Sequence, residues 1–317
     1  MVIKSLIYLG LFAALFAALT AWLAARHEAR AEAAFPPEGQ VLDVDGVAVH
    51  AVVMGEGPDV VLIHGSSGNT RDMTFALAPL LAKSFRVIVF DRPGLGYSQS
   101  FSADGETIVE QAEILQKAAA MLGADKPIVA GQSYGGSVSL AWAVTRPDNI
   151  SALVLIAPAA VPWETPLDSF NRIASTSWGN ALVLPLITAY VPDWYVNKAL
   201  DTVFAPQTAP EGYAEHFGPA LTLRRSSMHA NAKQRANLLD EVAELQPRYP
   251  EISVPTEIVH GTADTTVGLG WHSERLIEQI PGAELIELEG MGHMPQVVDA
   301  PEVAAAVERA AERAGLR

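Results

Sequence analysis

The longest apolar stretch of the chain lies near its amino terminus. Residues 5–25 read SLIYLGLFAALFAALTAWLAA and carry no charge. Their number matches the ~20 residues that a helix needs to cross the hydrocarbon core of a bilayer. Lys4 precedes the stretch and Arg26 follows it. This pattern predicts an N-terminal transmembrane helix within residues 1–34, which form an anchor and linker for the rest of the chain.

A cleaved signal peptide is the alternative interpretation of this stretch. The apolar region of a signal peptide usually has only ~7–15 residues and is followed closely by a small-x-small cleavage site. Here the apolar region is longer, and the pattern Ala31-Glu32-Ala33 lies several charged residues downstream. We therefore expect a single-pass membrane protein rather than an exported one. The basic residues on the two sides balance, so the sequence leaves the side of the membrane open.

Beyond residue 35, short apolar runs alternate with amphipathic stretches. This alternation is typical of α/β domains with a mostly parallel sheet. The amphipathic run 137–145 predicts a helix. The predicted strands lie on both sides of a long interruption, so we expect 35–159 and 251–317 to be two parts of one core. Apolar runs predict strands at 59–63, 127–130, 151–157, 256–260 and 283–289.

The alternation stops between residues 160 and 250. Helical stretches with proline breaks replace it, for example at 180–190 and 230–245. This segment also holds 10 of the 23 aromatic residues of the chain. We expect 160–250 to form a helical cap, with most of its aromatic residues in the cap's own core and only a few lining an apolar pocket.

The segment 131–136, GQSYGG, lies between the predicted strand 127–130 and the predicted helix 137–145. A G-x-S-x-G pattern in this setting is typical of a nucleophile elbow, a sharp strand-to-helix turn that exposes a serine. Ser133 is therefore the candidate nucleophile. Its neighbour Gln132 is expected to face the interior, and no function is assigned to it.

A serine hydroxyl becomes an effective nucleophile only when a base takes its proton and a third group orients that base. Asp264 and His293 each follow a predicted strand, and glycines flank His293. Taken singly, an aspartate in a turn or a histidine in a loop has an ordinary structural explanation. The chain order Ser133, Asp264, His293 is that of a catalytic triad on a parallel sheet. Glu164 is the alternative acid.

Acyl transfer also needs N–H donors for the oxyanion that forms on the carbonyl oxygen. One donor in this arrangement is the backbone N–H of the residue after the nucleophile, Tyr134. The second comes from the loop after an earlier strand, which here reads HGSSGN at 64–69. We expect the N–H of Ser66 to be that donor, with Ser67 as the near alternative.

Composition excludes several other functions. The chain has no cysteine, which leaves no disulfide, cysteine nucleophile or thiolate metal site. Its formal net charge of −15 disfavours binding to nucleic acid. The eight histidines have no familiar metal-ligand spacing, and no phosphate-binding glycine motif is present. We therefore expect neither a metal ion nor another cofactor.

With these motifs the chain resembles the α/β-hydrolase superfamily, in its serine-nucleophile branch of esterase- and lipase-like proteins with a helical cap. The resemblance covers about residues 41–310 and rests on HGSSG, DRPGLGYS, GQSYGG, HGTAD and GMGHMP, in this order. It implies an α/β-hydrolase fold, with a central, mostly parallel eight-stranded sheet flanked by helices and the cap inserted after strand six. It also implies Ser133 as nucleophile, His293 as base, Asp264 as orienting acid and a structural role for Asp91.

The motifs and the resemblance predict a serine hydrolase that cleaves carboxylic esters with an apolar acyl or alcohol part through an acyl-enzyme intermediate. The expected partners are a small apolar ester and, through the N-terminal helix, the lipid bilayer. The same triad serves hydrolases of C–C bonds, lactones or amides, and perhydrolases. The alternative of another class is a non-catalytic, membrane-tethered binding protein. Relatives that dehalogenate or open epoxides carry Asp at the elbow, so the serine argues against both reactions.

Overall fold

The computed structural model describes residues 2–317, except for the side chains of residues 193 and 197. Eight strands in this part of the chain form one sheet. In chain order they are β1 (Gln40–Val44), β2 (Val47–Met54), β3 (Asp59–Ile63), β4 (Arg86–Phe90), β5 (Ile128–Gln132), β6 (Ala152–Ile156), β7 (Thr256–Gly261) and β8 (Glu284–Leu288). Their order across the sheet is β1-β2-β4-β3-β5-β6-β7-β8.

Most neighbouring strands run parallel. Only the pairs β1–β2 and β2–β4 are antiparallel, which confirms the expected mostly parallel sheet. Parallel strands end at one edge of a sheet, so the loops after β3, β5, β7 and β8 meet there. Strand β5 extends two residues beyond the predicted run because Gly131 and Gln132 pair with Leu155 and Ile156 of β6.

Helices flank the sheet and fill the long interruption between β6 and β7. Short 3-10 helices lie at Pro147–Asn149, Pro219–Leu223 and Gln246–Glu251, and a π-helical turn at Gly179–Val183. The α-helices of the described chain are α1 (Val2–Ala34), α2 (Thr70–Thr74), α3 (Leu77–Leu81), α4 (Ile108–Met121), α5 (Tyr134–Thr145), α6 (Ser169–Ala174), α7 (Leu184–Tyr190), α8 (Asp193–Phe204), α9 (Tyr213–Phe217), α10 (Arg225–Leu245), α11 (Ser273–Ile277), α12 (Pro295–Val298) and α13 (Ala300–Arg313).

Side chains of the central strands alternate between two hydrophobic cores, one on each face of the sheet. In β3, Val61 and Ile63 join the core that contains α4 and α5 side chains, whereas Val60 and Leu62 join the core with α2, α3 and α13. All four side chains are fully buried. Burial on both faces explains why these strands read as continuous apolar runs in the sequence.

The segment between β6 and β7 contains helices α6 to α10 and, in the described chain, no strand. The predicted helix 180–190 begins as a π-helical turn and continues as α7, with Pro185 in its first turn. The predicted helix 230–245 begins earlier, at Arg225, within α10. The domain boundaries expected at 34/35, 159/160 and 250/251 stay predictions.

The expected apolar helix at the amino terminus is confirmed by α1, which has 33 residues. Its large apolar side chains are exposed along the stretch 2–22. By length and composition α1 meets the requirements of a helix that crosses a bilayer. A membrane anchor and a signal sequence both meet them.

Asp91 follows β4 and is fully buried. One carboxylate oxygen accepts a hydrogen bond from the Thr70 N–H (2.6 Å), and the other accepts from the Tyr97 N–H (2.8 Å) and the His50 ring (2.7 Å). Burial by itself raises the pKa of Asp91, but the hydrogen bond from His50, the charge interactions with His50 and His64 and the Tyr97 N–H together outweigh burial, and the pKa is lowered. The carboxylate ties the loop after β4 to the start of α2, which is a structural role.

The turn from β5 into α5 passes very close to β3. A Cβ atom at Gly135 would overlap the carbonyl oxygen of Ile63. Gly268, by contrast, has open space at its Cβ position and a backbone outside the left-handed region. Only glycine therefore fits at position 135, whereas alanine fits at position 268.

Gly135→Ala is expected to destabilise the fold by ~2 kcal/mol or more, because overpacking forces the backbone to move. Thermal unfolding followed by circular dichroism measures this loss. The matched control, Gly268→Ala, is expected to change stability by less than ~0.5 kcal/mol. A Gly135→Ala protein as stable as this control would contradict the close contact between the turn and β3.

Candidate active site

Ser133 lies at the junction of β5 and α5 with φ 52° and ψ −115°. This backbone conformation is strained for a residue with a Cβ atom, at a typical cost of ~1–3 kcal/mol. Backbone hydrogen bonds hold it in place, since Ser133 N donates to Ile156 O and Gly136 N donates to Ser133 O, each at 2.9 Å. The strained turn has the form expected of a nucleophile elbow.

Asp264 and His293 come together at the carboxyl edge of the sheet. Asp264 Oδ2 lies 2.7 Å from His293 Nδ1, and both side chains are buried. The other oxygen of Asp264 accepts hydrogen bonds from the N–H groups of Thr266 (2.8 Å) and Val267 (2.9 Å). Burial alone raises the pKa of Asp264, but hydrogen bonds from His260 and His293 outweigh burial and hold the pKa well below its ordinary value. The ionised carboxylate fixes the orientation of the His293 ring.

Two further histidines near the site form hydrogen bonds with backbone groups through their rings. Nδ1 of His64 lies 2.9 Å from the carbonyl oxygen of Gly65, and Nε2 of His64 accepts a hydrogen bond from the backbone N–H of Arg92 at 3.0 Å. His272 Nδ1 accepts from two backbone N–H groups at 3.2 Å. Burial lowers the pKa of both rings to about 4. In the described chain, no three His, Cys, Asp or Glu side chains are grouped to hold a metal ion.

Gln132 is buried, as expected of a residue that faces the interior, and its side chain also reaches His293. The amide nitrogen lies 3.2 Å from His293 Nε2 and 3.1 Å from the carbonyl oxygen of His293. Since a carbonyl oxygen only accepts, the group in this position is the NH2, and it donates to both atoms. His293 therefore carries its proton on Nδ1, towards Asp264. Gly65 packs so closely on Gln132 that a Cβ there would overlap the amide oxygen.

The two predicted oxyanion donors, Ser66 and Tyr134, line the same cavity as Ser133. Neither backbone N–H donates to another residue of the described chain. The N–H of Ser67 instead donates to Asn231 Oδ1 at 2.7 Å. This engagement favours Ser66 over Ser67, because a bound substrate would meet the free N–H first.

Arg92 is a fully buried cation beneath the site that sequence analysis missed. Its guanidinium donates to the carbonyl oxygens of His64 and Gly65, each at 3.1 Å, and to the side chain of Gln234 on α10 at 2.9 Å. Its Cζ lies 4.1 Å from the centre of the Tyr134 ring. Burial lowers the pKa of Arg92 to about 10, so the group stays charged at neutral pH. Arg92 thereby joins the 64–69 loop, the elbow and the cap.

An open cavity of about 1480 Å³ borders Ser133 and His293. The expectation that only a few cap aromatic residues line a pocket is wrong. Phe204, Tyr213 and Phe217 are buried together in a hydrophobic cluster with Met294 and Val297, and the same three side chains line the cavity. Seven of the ten line the cavity: Trp163, Phe170, Tyr190, Tyr195, Phe204, Tyr213 and Phe217.

Asp72 is a second buried carboxyl group in the wall of this cavity, and sequence analysis missed it. Its two oxygens accept from the Tyr213 hydroxyl (2.8 Å) and from Gln296 Nε2 (3.3 Å). Burial raises the pKa of Asp72 to about 6, and the two hydrogen bonds oppose burial only in part. The amide oxygen of Gln296 has no hydrogen-bond partner in the described chain. Asp72 joins α2 to the cap helix α9 at an energetic cost near neutral pH.

Comparison with known proteins identifies relatives across most of the chain. A family model described as alpha/beta hydrolase fold matches residues 58–300. Haloalkane dehalogenase 2 of Mycobacterium tuberculosis is 28% identical over 289 residues, which cover 87% of this chain and 96% of that protein. The 2-hydroxymuconate semialdehyde hydrolase of Pseudomonas putida is also 28% identical, over 284 residues, with 86% of this chain and 94% of that protein covered.

Solved structures agree with this fold. A thermophilic esterase from Thermogutta terrifontis superposes with a TM-score of 0.71 at 22% identity, covering 87% of this chain and 99% of its own. A membrane phospholipase A, described as a bacterial virulence factor, superposes with a TM-score of 0.67 at 21% identity and covers 99% of this chain and 98% of its own. At these identities the likeness shows a shared fold.

Asp72→Asn is expected to raise the melting temperature by a few degrees at pH 8. The asparagine side-chain oxygen still accepts from the Tyr213 hydroxyl. Its NH2 donates to the Gln296 oxygen after the Gln296 side-chain amide rotates by 180°. The folded pKa of Asp72 lies near 6 against an ordinary 3.8, so its ionised form destabilises the native state above pH 6, and this cost disappears as the pH falls towards 4.

Circular dichroism melts of wild type and Asp72→Asn at pH 8, 6.5 and 5 test this linkage. The gain of the variant should be similar at pH 8 and 6.5, where the folded Asp72 is mostly ionised, and clearly smaller at pH 5, below its folded pKa. A gain that stays constant over this range would contradict the raised pKa of Asp72.

Proposed function

The chain belongs to the α/β-hydrolase family, and we propose that it is a serine hydrolase that cleaves carboxylic esters with an apolar acyl or alcohol part. One observation carries this proposal above all. The strained Ser133 and His293, which is hydrogen-bonded to Asp264 behind it, border the same cavity, whose walls are mainly apolar and aromatic. An activated nucleophile beside an apolar pocket suits an ester with an apolar part.

In the proposed reaction, Ser133 Oγ attacks the ester carbonyl carbon while His293 Nε2 takes the hydroxyl proton. Asp264 stabilises the imidazolium that forms. The N–H groups of Ser66 and Tyr134 bind the oxyanion, a contribution typically of a few kcal/mol per donor. The imidazolium returns its proton to the departing alcohol, which leaves an acyl group on Ser133. Water, deprotonated by the same base, then releases the acid and restores the hydroxyl.

The size of the cavity indicates a substrate with a long apolar part. Pockets for small ligands usually have ~300–1,000 Å³, and this cavity exceeds that range at about 1480 Å³. The uncharged segment 5–25 supports a second element of the proposal, namely that α1 anchors the enzyme in a lipid bilayer. The membrane phospholipase A, whose superposition covers 99% of this chain, is an example of a membrane protein with this fold.

The dehalogenase relative does not change the proposed reaction. A carboxylate that displaces a halide forms an alkyl ester, which water cleaves under a histidine base. A serine oxygen would form an alkyl ether instead. Water activated by a histidine base does not hydrolyse an ether, because an ether has no carbonyl carbon to attack. Ser133 in the elbow therefore fits acyl transfer. The C–C hydrolase relative makes cleavage next to a ketone the second candidate, since that reaction also uses attack at a carbonyl.

The hydrogen bond between Gln132 and His293 must break before Ser133 can transfer its proton to His293. In the resting arrangement the Gln132 amide donates to His293 Nε2, the atom that must accept the Ser133 proton. The amide must leave Nε2 before proton transfer begins. A neutral hydrogen bond contributes ~1 kcal/mol, so its release slows the attack by a factor of ~5.

The proposed function is tested with p-nitrophenyl esters from acetate to palmitate and the full-length protein in detergent. Ser133→Ala and His293→Ala are each expected to lower kcat by ~10⁴-fold or more. Asp264→Asn should cost less, yet still orders of magnitude, because the carboxylate only orients and stabilises the base. Unchanged melting temperatures would show that the variants fold.

Wild-type turnover that survives Ser133→Ala would contradict the proposal. Turnover of a ketone-activated C–C substrate, with none of any ester, would favour the second candidate. Asp264→Asn at the wild-type rate would exclude Asp264 as the orienting acid and turn attention to Glu164, which also lines the cavity.

Gln132→Met is expected to speed the reaction of Ser133 with a fluorophosphonate by about 3- to 10-fold, because methionine fills a similar volume without an NH2 donor. The labelling rate of full-length protein measures this effect. Gln246→Met, at a partly buried amide pair with Gln279 outside the cavity, is the control and should label at the wild-type rate. Slower labelling of a stably folded Gln132→Met protein would mean that Gln132 orients His293 and does not restrain it.

A further inference from the structure

The cap carries a concentrated group of exposed apolar side chains. Outside α1, seven of the thirteen exposed large hydrophobic residues of the described chain lie between positions 170 and 195, each 39–66% exposed. The chain is also uncharged from 173 to 192. We name this surface the apolar cap face: Phe170, Trp178, Leu182, Leu186, Tyr190, Trp194 and Tyr195. Soluble domains seldom expose so many large apolar side chains within one short segment without a function.

The apolar cap face is continuous with α1. Phe16 stacks on Tyr190, with ring centroids 6.3 Å apart and planes 9° from parallel. The hydroxyls of Thr20 and Tyr190 lie 3.0 Å apart. Helix α7, which ends at Tyr190, therefore lies beside the uncharged segment 5–25, and whatever apolar phase surrounds that segment also meets the cap.

Polar contacts hold α1 in this position at its carboxyl end. Glu28 forms an ion pair with Arg225 at 2.7 Å, and Glu32 forms one with Arg224 at 3.1 Å. Ala31 is buried between these two pairs. The helix is thus fixed to the cap at two levels, by ion pairs below the uncharged segment and by aromatic packing within it.

The active-site cavity reaches the surface at the same place. Phe170, Tyr190 and Tyr195 belong to the apolar cap face and also line the cavity of Ser133. A residue that is both exposed and cavity-lining marks the mouth of the cavity. The mouth therefore opens beside α1, among apolar side chains.

We propose that the apolar cap face inserts into the lipid bilayer beside α1, and that the active-site cavity opens there, so that Ser133 receives acyl esters dissolved in the membrane. The catalytic step of this proposal rests on the proposed serine hydrolase function. A bilayer that surrounds α1 would also cover the cap face, because the exposed side chains of α1 and those of the cap meet at Phe16 and Tyr190. Trp178 and Trp194 are the residue type that membrane interfaces favour.

The position of the face is tested by spin labelling, which the absence of native cysteine makes straightforward. The full chain carries a nitroxide at Leu182→Cys, or at Met121→Cys as control, in phosphatidylcholine–phosphatidylglycerol vesicles. The two positions are similarly exposed, at 65% and 57%. Met121 ends α4, which leads into the amino end of β5, at the edge of the sheet opposite the cap.

The label at 182 should collide with oxygen more often than with a water-soluble nickel chelate, and the label at 121 should show the reverse. Nickel collisions at 182 equal to those at 121 would place the face in water and overturn the proposal. Exclusion of both reagents at 182 would mean that protein, such as a second copy of this chain, covers the face. That result would overturn the proposal as well.

The substrate route is tested with a double variant, Leu182→Asp/Leu186→Asp, whose positions are exposed and outside the cavity lining. We expect at least a 10-fold loss of turnover for a fluorogenic diacyl ester embedded in vesicles, since aspartate resists transfer into hydrocarbon. Turnover of soluble p-nitrophenyl butyrate should stay at the wild-type value. Met121→Asp is the control and should change neither rate.

Equal turnover of the vesicle ester by wild type and the double variant would overturn delivery from the membrane. Equal losses on both esters would also overturn it, because damage to the site would then explain the result. If the wild type cleaved neither ester, the proposed function would fail while the spin labels still decided whether the face lies in the bilayer. The two failures are therefore distinguishable.

Discussion

The strained backbone of Ser133 is the constraint on which the rest of the site depends. Ser133 has a positive φ at the point where β5 turns directly into α5. The turn passes so close to β3 that the carbonyl oxygen of Ile63 leaves no room for a side chain at position 135. A turn of this kind presents the serine at the carboxyl edge of the sheet. The loops after β7 and β8 end at the same edge and bring Asp264 and His293 to it. Ser133, Asp264 and His293 thus lie close together because β5, β7 and β8 are parallel and end at the same edge of the sheet.

Two buried groups connect the cap to this centre. Arg92 contacts the 64–69 loop and Tyr134 on the core side and Gln234 on α10. Asp72 accepts a hydrogen bond from Tyr213 on α9. Buried polar networks of this kind specify one arrangement, because a displaced partner leaves an unpaired buried group. These polar contacts position the cap together with the buried hydrophobic cluster that joins cap aromatic side chains to Met294 and Val297 of the core.

The sheet and the candidate triad could be predicted from sequence because their signals are local. Strands buried on both faces read as apolar runs, and GQSYGG, HGTAD and GMGHMP each follow one of them. Gln132, Arg92 and Asp72 escaped prediction because their roles depend on contacts between distant elements. The sequence gives one local indication of the role of Arg92, namely that this charged residue directly follows Asp91 at the end of an apolar run. The number of cap aromatics at the cavity was misjudged because sequence does not reveal that members of a buried cluster, such as Phe204 and Tyr213, also line the cavity.

The most direct measurement of the central claim is to find which residue forms a covalent adduct. The full-length protein is treated with a fluorophosphonate, digested, and analysed by peptide mass spectrometry. An activated serine beside a histidine base reacts with this reagent, whereas an ordinary serine does not. We predict one phosphonyl group per chain, on Ser133. No adduct on a folded protein, or an adduct on another residue, would contradict it.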